Sequence, residues 1–442
     1  MCQLIEAGVS ASAGGGHAGE NIPFSRPYIG KEEEQAVLAV LRSGWLTTGK
    51  ETIEFEKEFA CFLGGTGSQP PNRESAPELP FCMAVNSATS GLHLALEACG
   101  VTRGDIVLVP SMTFTATAEV ARYLGAEAVF VDVIKDGYNM DPAALEHTLD
   151  RLNKGLPAYP PRTANSSAEC DGFGPRGRAA AVIPVHFGGL PCDMDAILTI
   201  AKKYGIKVIE DAAHSFPSFT DGRWAGDLGN VGVFSFYATK TITTGEGGMV
   251  VTRDKSIADR VKIMRSHGID RSVWNRYTDT SASWYYEVVE PGFKYNIPDI
   301  LSALGRAQLR KAMDLLAMRE DLARRYDEAF SADDCFIVPP TGFGDARHLY
   351  PLRLKSEKLS ISRDEFAAKT QERGIGISVH FIPLHTMPYY KKRYGLESGD
   401  FPETMKAYNM SLSLPLWPGM TTTQIERVIT VVKELTSEYN TR

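Results

Sequence analysis

Residues 231–251 read VGVFSFYATKTITTGEGGMVV. Val231, Val233 and Phe236 are apolar positions of the kind that fill a short buried strand, and Met249, Val250 and Val251 begin a second. Between them a turn of hydroxyl and small residues carries one amine, Lys240, and closes with Gly245, Glu246, Gly247 and Gly248. Apolar strands on both sides desolvate an ammonium, depress its pKa and leave a neutral amine able to form a Schiff base. The same residues also suit a solvated lysine in a hairpin turn, so the turn by itself leaves both readings open.

A second stretch, KVIEDAAHS at 207–215, shifts the balance. Val208 and Ile209 predict a strand ending in Glu210 and Asp211, and an acid at the carboxyl end of a strand in an α/β sheet points into the ligand crevice. A buried carboxylate facing a pyridinium nitrogen, with a lysine Schiff base elsewhere on the ring, is what a protein contributes to pyridoxal 5'-phosphate (PLP) chemistry. Without such a partner Asp211 would serve as a helix N-cap.

The 442 residues, 43% hydrophobic and 23% charged, suffice for a large core and more than one domain. A formal net charge of -7 without a long Lys/Arg block argues against nucleic acid as a partner, and leaves room for a local basic pocket. The seven cysteines, Cys2, Cys61, Cys82, Cys99, Cys170, Cys192 and Cys335, form no CxxC pair and are odd in number, which suits free thiols in a reducing compartment. No apolar run is long enough to span a bilayer, and no basic n-region precedes an apolar core. The expectation is a soluble, cytoplasmic protein without a membrane partner.

Residues 1–22, rich in Ala, Ser and Gly, predict a disordered tail. Helical spacing over Lys31–Arg42 leads to Gly44-Trp45-Leu46-Thr47-Thr48-Gly49 and a second amphipathic helix through Phe55, Phe59 and Phe62. Trp45 suits core or dimer packing, or a place over a ligand. From Phe81 onward strands and helices alternate. Asn86 to Gly91 opens a helix; its small and hydroxyl residues suit a phosphate held by exposed backbone N–H groups, or simple N-capping by Ser87 or Thr89. Phe114, just beyond the strand Ile106–Val109, suits stacking on a planar ring or a place in the core. The strand Ala180–Val185 ends at His186, as compatible with a structural role as with a functional one.

Gly64–Pro80 and Leu152–Arg178 read as irregular insertions, 64–80 and 152–178. The strand–helix repetition predicts a mostly parallel sheet whose strand ends gather Phe114, Asp211 and the phosphate-cradle turn. A long helix, Ile300–Phe330, closes a large domain over 23–310. Strand-like Tyr350–Leu354, helix Arg363–Arg373 and strand-like Ile375–Val379 predict a smaller C-terminal α/β domain over 311–442. This part carries SVHFIPLHTMPYY, with His380 and His385 flanking Pro383. Metal binding would need a His/Cys/carboxylate cluster with a recognised spacing, and none completes the set.

The motifs FSFYATKTITTGEGG, VIEDAAHSF, VNSATSGLHLAL, PSMTFTATAEVARYLGAEAVFVDV and PGFKYNIPDILSALGRAQL together resemble the sugar aminotransferases of the DegT/DnrJ/EryC1/StrS group, which are fold-type I, PLP-dependent enzymes. The resemblance runs from about Pro23 to the C-terminus, apart from the two insertions. It implies a large domain with a mostly parallel mixed sheet plus a smaller α/β domain. Lys240 would be the Schiff-base lysine and proton shuttle, Asp211 would hold the pyridine nitrogen protonated, and His214 would lie near the phenolic oxygen. Phe114 would stack on the ring, and Thr89, Ser90 and Ser235 would hold the phosphate. Asn296, in GFKYN, would reach the phosphate in a neighbouring subunit, which implies a homodimer with shared active sites. His380 and His385 belong to a loop that lies near substrate in the family, and Trp45 is a further substrate-contact candidate.

The implied reaction is a transamination in two halves, in which glutamate leaves its amine on the cofactor and the amine then passes to a nucleotide-linked keto sugar, as in polysaccharide biosynthesis. The wording GFKYNIPDI and GWLTTGK is most similar to enzymes acting at C4 of a UDP- or GDP-linked 4-keto sugar. A C3 aminotransferase is an alternative that differs in how the sugar is seated. A PLP-dependent sugar dehydratase is another, against which Lys240 stands, because that subgroup carries histidine there. A non-catalytic PLP-binding regulator is a third, opposed by the complete lysine, aspartate and phosphate set.

Overall fold

Apolar runs bounded by turn residues become strands, and those buried on both faces carry little alternation, as IVLVP and EAVFV illustrate. The computed structural model describes residues 21–65, 79–160, 173–220, 222–270, 285–342 and 344–441. Seven strands form the main sheet: β1 (Phe81–Val85), β2 (Ile106–Pro110), β3 (Glu127–Val131), β4 (Ala179–Val182), β5 (Lys207–Asp211), β8 (Val231–Ser235) and β9 (Gly248–Thr252). A two-stranded ribbon of β6 (Phe219–Thr220) and β7 (Arg223–Trp224) lies between β5 and β8 in the chain. The spatial order is β1-β9-β8-β5-β4-β2-β3.

Pairs β8/β5, β5/β4, β4/β2 and β2/β3 are parallel, and β9 runs antiparallel to both its neighbours. The parallel pairs need long crossovers, which the helices Thr115–Tyr123 (β2 to β3) and Met194–Tyr204 (β4 to β5) help to supply. β8 and β9 need no such crossover. They register Ser235 against Gly248 and so hold the Lys240 turn as a hairpin end.

One face of the sheet buries Val85, Val233 and Val250 under Gly91 of the helix Ala88–Ala98. On the other face the helix Lys50–Gly64 packs Phe55 and Phe59 against the hairpin. Phe59 lies 5.2 Å from Phe234 edge-on, and Phe55 lies 5.4 Å from Phe236.

A second, antiparallel sheet of β10 (Phe336–Ile337), β11 (Tyr350–Leu354) and β12 (Ser411–Leu414) has its own core, shared with the helices Ala312–Phe330, Arg363–Glu372 and Thr422–Tyr439. Of the tail expected over 1–22, residues 1–20 lie outside the described residues. Ile22 is buried in this second core and bridges Ile375. Of the two insertions, residues 66–78 and 161–172 lie outside the described residues, and the second is closed at its base by a Tyr159–Phe173 bridge.

Three local expectations change. The helix expected over Ile300–Phe330 is two helices, Asp299–Arg310 and Ala312–Phe330, interrupted at Lys311 (φ -111°, ψ 14°). The break lets one apolar pattern serve two cores: Leu309, Ala312 and Leu315 face the phenylalanine cluster, whereas Leu322, Tyr326 and Phe330 face the second sheet. Residues 375–379 form no strand. They are pinned one residue at a time, Ile375 to Ile22 and Ser378 to Ser413, because the backbone of Phe24 closes on Gly376. The segment Leu384–Phe401 returns to the main sheet, with Tyr390 edge-on to Phe130 at 5.0 Å. Among the described residues no helix is long and apolar enough to cross a membrane.

Candidate active site

The carboxyl ends of β5 and β8 and the start of the helix Ala88–Ala98 border a cavity of about 570 Å³. This is where the strand-end rule places a ligand. Lys240 enters it from the β8–β9 hairpin, whose turn is held by Lys240 N–H donating to Tyr237 O at 2.9 Å and Phe236 N–H donating to Gly247 O at 2.9 Å. Ile242 is buried beneath the turn and anchors it. Burial lowers the Lys240 pKa to about 8, against the pull of Asp211 and with the help of Arg319.

Asp211 ends β5 with its carboxylate in the cavity. Thr117 donates its hydroxyl to Oδ2 at 2.7 Å, and the Ala213 N–H donates to Oδ1 at 3.1 Å. Burial still raises the Asp211 pKa against these two donors and Lys240, which marks a carboxylate short of a cationic partner.

Next to Asp211 in sequence, Glu210 points to the opposite face. It is fully buried and accepts from the N–H groups of Gly226 (2.8 Å), Leu228 (2.7 Å) and Gly229 (2.6 Å). His186 Nε2 completes the set at 2.9 Å while its Nδ1 accepts the Cys192 N–H at 3.0 Å. Burial opposes the charge, yet His186 and these amides hold the Glu210 pKa below its usual value. His186, which the sequence leaves open, is therefore part of a clamp on the loop feeding β8.

The phosphate-cradle turn divides its labour. Ser87 caps the helix by accepting the Ser90 N–H at 3.1 Å. Ser90 spends its own hydroxyl on Asn86 Oδ1 (2.7 Å) and Ser87 O (2.8 Å), so its side chain is not among those lining the cavity. Ser87, Ala88, Thr89 and Ser235 do line it. Gly248 is required beside them, because a Cβ there would stand 2.9 Å from the Ala88 nitrogen.

His214 accepts the Gly188 N–H on Nδ1 at 3.3 Å, which leaves the Nε2–H as its donor. Burial, with Lys240 and His380 nearby, takes its pKa well below the usual value and keeps it neutral. Phe114, the N-cap position of the helix Thr115–Tyr123, is 58% exposed at the cavity edge and lies 6.0 Å from Phe381. His380 also lines the cavity, with Nδ1 2.9 Å from Ser413 Oγ; burial takes its pKa down to about 4, with Lys240 adding to the effect.

Three residues expected at the site lie outside the cavity. His385 is fully buried, with Nδ1 2.5 Å from Ser111 Oγ and its ring against Phe401. It fastens the 380s loop to the end of β2 instead of facing substrate. Asn296 donates Nδ2 to Thr48 Oγ1 at 2.6 Å, and Thr48 donates to Ile297 O at 2.5 Å. Trp45 packs over Gly49, where a Cβ would fall 2.2 Å from Nε1. The GWLTTG loop and the KYNIPD stretch are thus one unit, tied together by Asp299.

Other lining residues escape sequence reasoning. Phe24 and Ser25 reach the cavity because Ile22 is bridged to Ile375, and Phe381 and His348 come from the second half of the chain. His348 lies two residues before β11, in the antiparallel sheet to which the carboxyl-end rule does not apply, so no sequence signal marks it.

These residues fit PLP. The cavity has a cradle of hydroxyls and helix N–H groups for an anion, an acid short of a cation, an exposed aromatic ring and a partly neutral amine. The DegT/DnrJ/EryC1/StrS aminotransferase family model matches residues 27–433. The spore coat polysaccharide biosynthesis protein SpsC of Bacillus subtilis (strain 168) is 41% identical over 418 residues, covering 94% of this chain and 97% of SpsC. Among solved structures, Spr1654 of Streptococcus pneumoniae in its PMP form superposes with a TM-score of 0.80 at 28% identity, covering 95% and 100% of the two chains. PseC of Helicobacter pylori, an aminotransferase involved in pseudoaminic acid biosynthesis, superposes with a TM-score of 0.78 at 26% identity, covering 95% and 100%. With Lys240 and Asp211 meeting in one cavity inside this α/β fold, the chain belongs to the DegT/DnrJ/EryC1/StrS aminotransferase family and takes PLP as its cofactor.

Proposed function

We propose that the protein transfers an amino group from glutamate to C4 of a UDP- or GDP-linked 4-keto sugar, in the cytoplasm and in the service of polysaccharide biosynthesis. The observation that carries the reading is Lys240, an amine with a pKa of about 8 in the same cavity as Asp211. The names of SpsC and PseC, which concern a coat polysaccharide and a sugar acid, support the substrate class.

When bound, PLP supplies an electron sink for the carbon that exchanges its amine. The protein does the rest. Lys240 Nζ would hold the cofactor and, when free, would carry the proton between the two carbons that exchange the amine, a task suited to an amine poised near neutral pH. Asp211, held by Thr117, would keep a proton on the ring nitrogen, and the His214 Nε2–H would donate to the phenolic oxygen. Thr89, Ser235 and the free N–H groups of the helix start hold the phosphate. Phe114 covers the ring face and His380 meets the sugar. Asn296 and Trp45, outside this protomer's cavity, serve a second copy in a homodimer with shared sites.

The test is the visible spectrum of the PLP-loaded protein before and after glutamate, alongside Lys240→Ala. A lysine-linked band that glutamate converts to the PMP form, and that the variant lacks, supports the reading. Product analysis with nucleotide-linked 4-keto and 3-keto sugars then separates C4 from C3. A loaded protein whose spectrum glutamate leaves unchanged rules out glutamate as donor.

A further inference from the structure

Arg319 sits on the helix Ala312–Phe330, at the seam between the two cores, and is 2% exposed. Its Nη1 donates to the carbonyls of Leu416 (2.9 Å), His348 (3.2 Å) and Arg347 (3.5 Å), and its Nε has no partner. Among the described residues no carboxylate forms an ion pair with it: Asp327 and Asp345 answer Arg347 instead, at 3.6 and 3.7 Å. Burial brings the guanidinium only down to about 10, so it stays charged at neutral pH. A buried cation without a counter-charge is costly.

The two segments that Arg319 holds supply His348 and Leu416 to the cavity wall. His348 is 5% exposed, its ring centroid lies 4.5 Å from that of His214, and its Nδ1 has no partner in the fold. The wall is rigid. His348 N–H donates to Gly188 O at 2.8 Å, and Gly189 (φ +110°) lies so close that a Cβ would stand 2.7 Å from Asp345 Oδ1 and 2.9 Å from the Arg347 nitrogen. Among the described residues lining the cavity, Lys240 is the one Lys or Arg, and Asp211 acts on it. On this chain's side of the cavity, the wall backed by Arg319 offers a positive complement to a carboxylate brought to Lys240.

We propose that His348, backed by the buried charge of Arg319, receives a carboxylate of the amino donor. His348 makes the contact. Arg319 is a positioning residue that acts through it, by holding its backbone and by supplying the field. The proposal rests on the reading that the donor is a dicarboxylic amino acid.

The test uses the PLP-loaded full chain and glutarate, a dicarboxylate without an amine, followed by its perturbation of the visible band. Arg319→Gln removes the charge, Arg319→Lys keeps it, and His348→Ala removes the contact. Arg319→Gln and His348→Ala should each weaken glutarate by about tenfold or more, and Arg319→Lys by about threefold at most. The KM for glutamate should rise in step while the KM for the keto sugar holds. Unchanged glutarate affinity in Arg319→Gln, an equal loss in Arg319→Lys, or a loss confined to the sugar overturns the proposal. If Arg319→Gln fails to fold, His348→Ala and Arg319→Lys decide. Glutarate binding by a protein that does not transaminate with glutamate would sink the donor reading and leave the anion-receiving wall standing.

Discussion

Thr117 Oγ1 lies 2.7 Å from Asp211 Oδ2, so a helix that follows one strand sets the carboxylate at the end of another. Hydrogen bonds to a charged group are worth about 1.5–3 kcal/mol. Replacing Thr117 with Val keeps the shape and removes the donor, and burial then acts on Asp211 with less opposition. Thr117→Val should weaken PLP binding by about tenfold, read by titrating the visible band of the apoprotein with PLP; unaltered affinity would remove Thr117 from the account.

Lys240 imposes a pH dependence on the apoprotein. Its folded pKa of about 8 lies below the unfolded value of about 10.4, so between these pH values the unfolded chain binds more protons than the folded one. This contribution makes unfolding less favourable as pH rises through that window. Comparing urea midpoints of the apoprotein at pH 8 and pH 10 with those of Lys240→Met isolates it: the parent should gain stability relative to the variant on going to pH 10.

Glu210 is saturated by three backbone donors and His186, all within 2.9 Å. An amide in its place would set an N–H group against donors. Glu210→Gln should destabilise the protein by about 3 kcal/mol, and urea denaturation gives the value. A change below about 0.5 kcal/mol would show that the clamp contributes little.

Asp299 caps the helix Lys50–Gly64 from a distant part of the chain. It accepts from the N–H groups of Gly49 (2.7 Å), Glu51 (3.1 Å) and Thr52 (3.0 Å), and from the Thr52 hydroxyl (2.7 Å). Asp299→Ala leaves buried donors unpaired and should cost about 2 kcal/mol. Thermal melts measure this, and Asp299→Asn, which keeps one acceptor oxygen, should recover part of the loss.

Lys240 and Asp211 are legible in the sequence because each belongs to a local pattern, an apolar run ending in a turn or an acid, that sheet geometry converts into position. Ser90 belongs to such a pattern too, yet its hydroxyl is consumed by its own cap, a choice between two acceptors that spacing does not decide. His385 and His380 look equivalent in SVHFIPLH and are sent to different surroundings by the loop between them. Arg319 carries no mark in the sequence that sets it apart from its charged neighbours, and its burial depends on the carbonyls of His348 and Leu416. Phe24 and Ser25 carry no mark of their own, because their place depends on a bridge to residue 375, far away in the chain.

The side chains around the cavity come from positions as far apart as Phe24 and Leu416. No contiguous fragment holds the site. During synthesis, the ribosome must therefore release almost the whole chain before PLP has a complete place to bind, and cofactor uptake reports finished folding. Long-range pairings of this kind form slowly. A chain stalled between Lys240 and Leu416 would carry its catalytic lysine without the complete cavity around it.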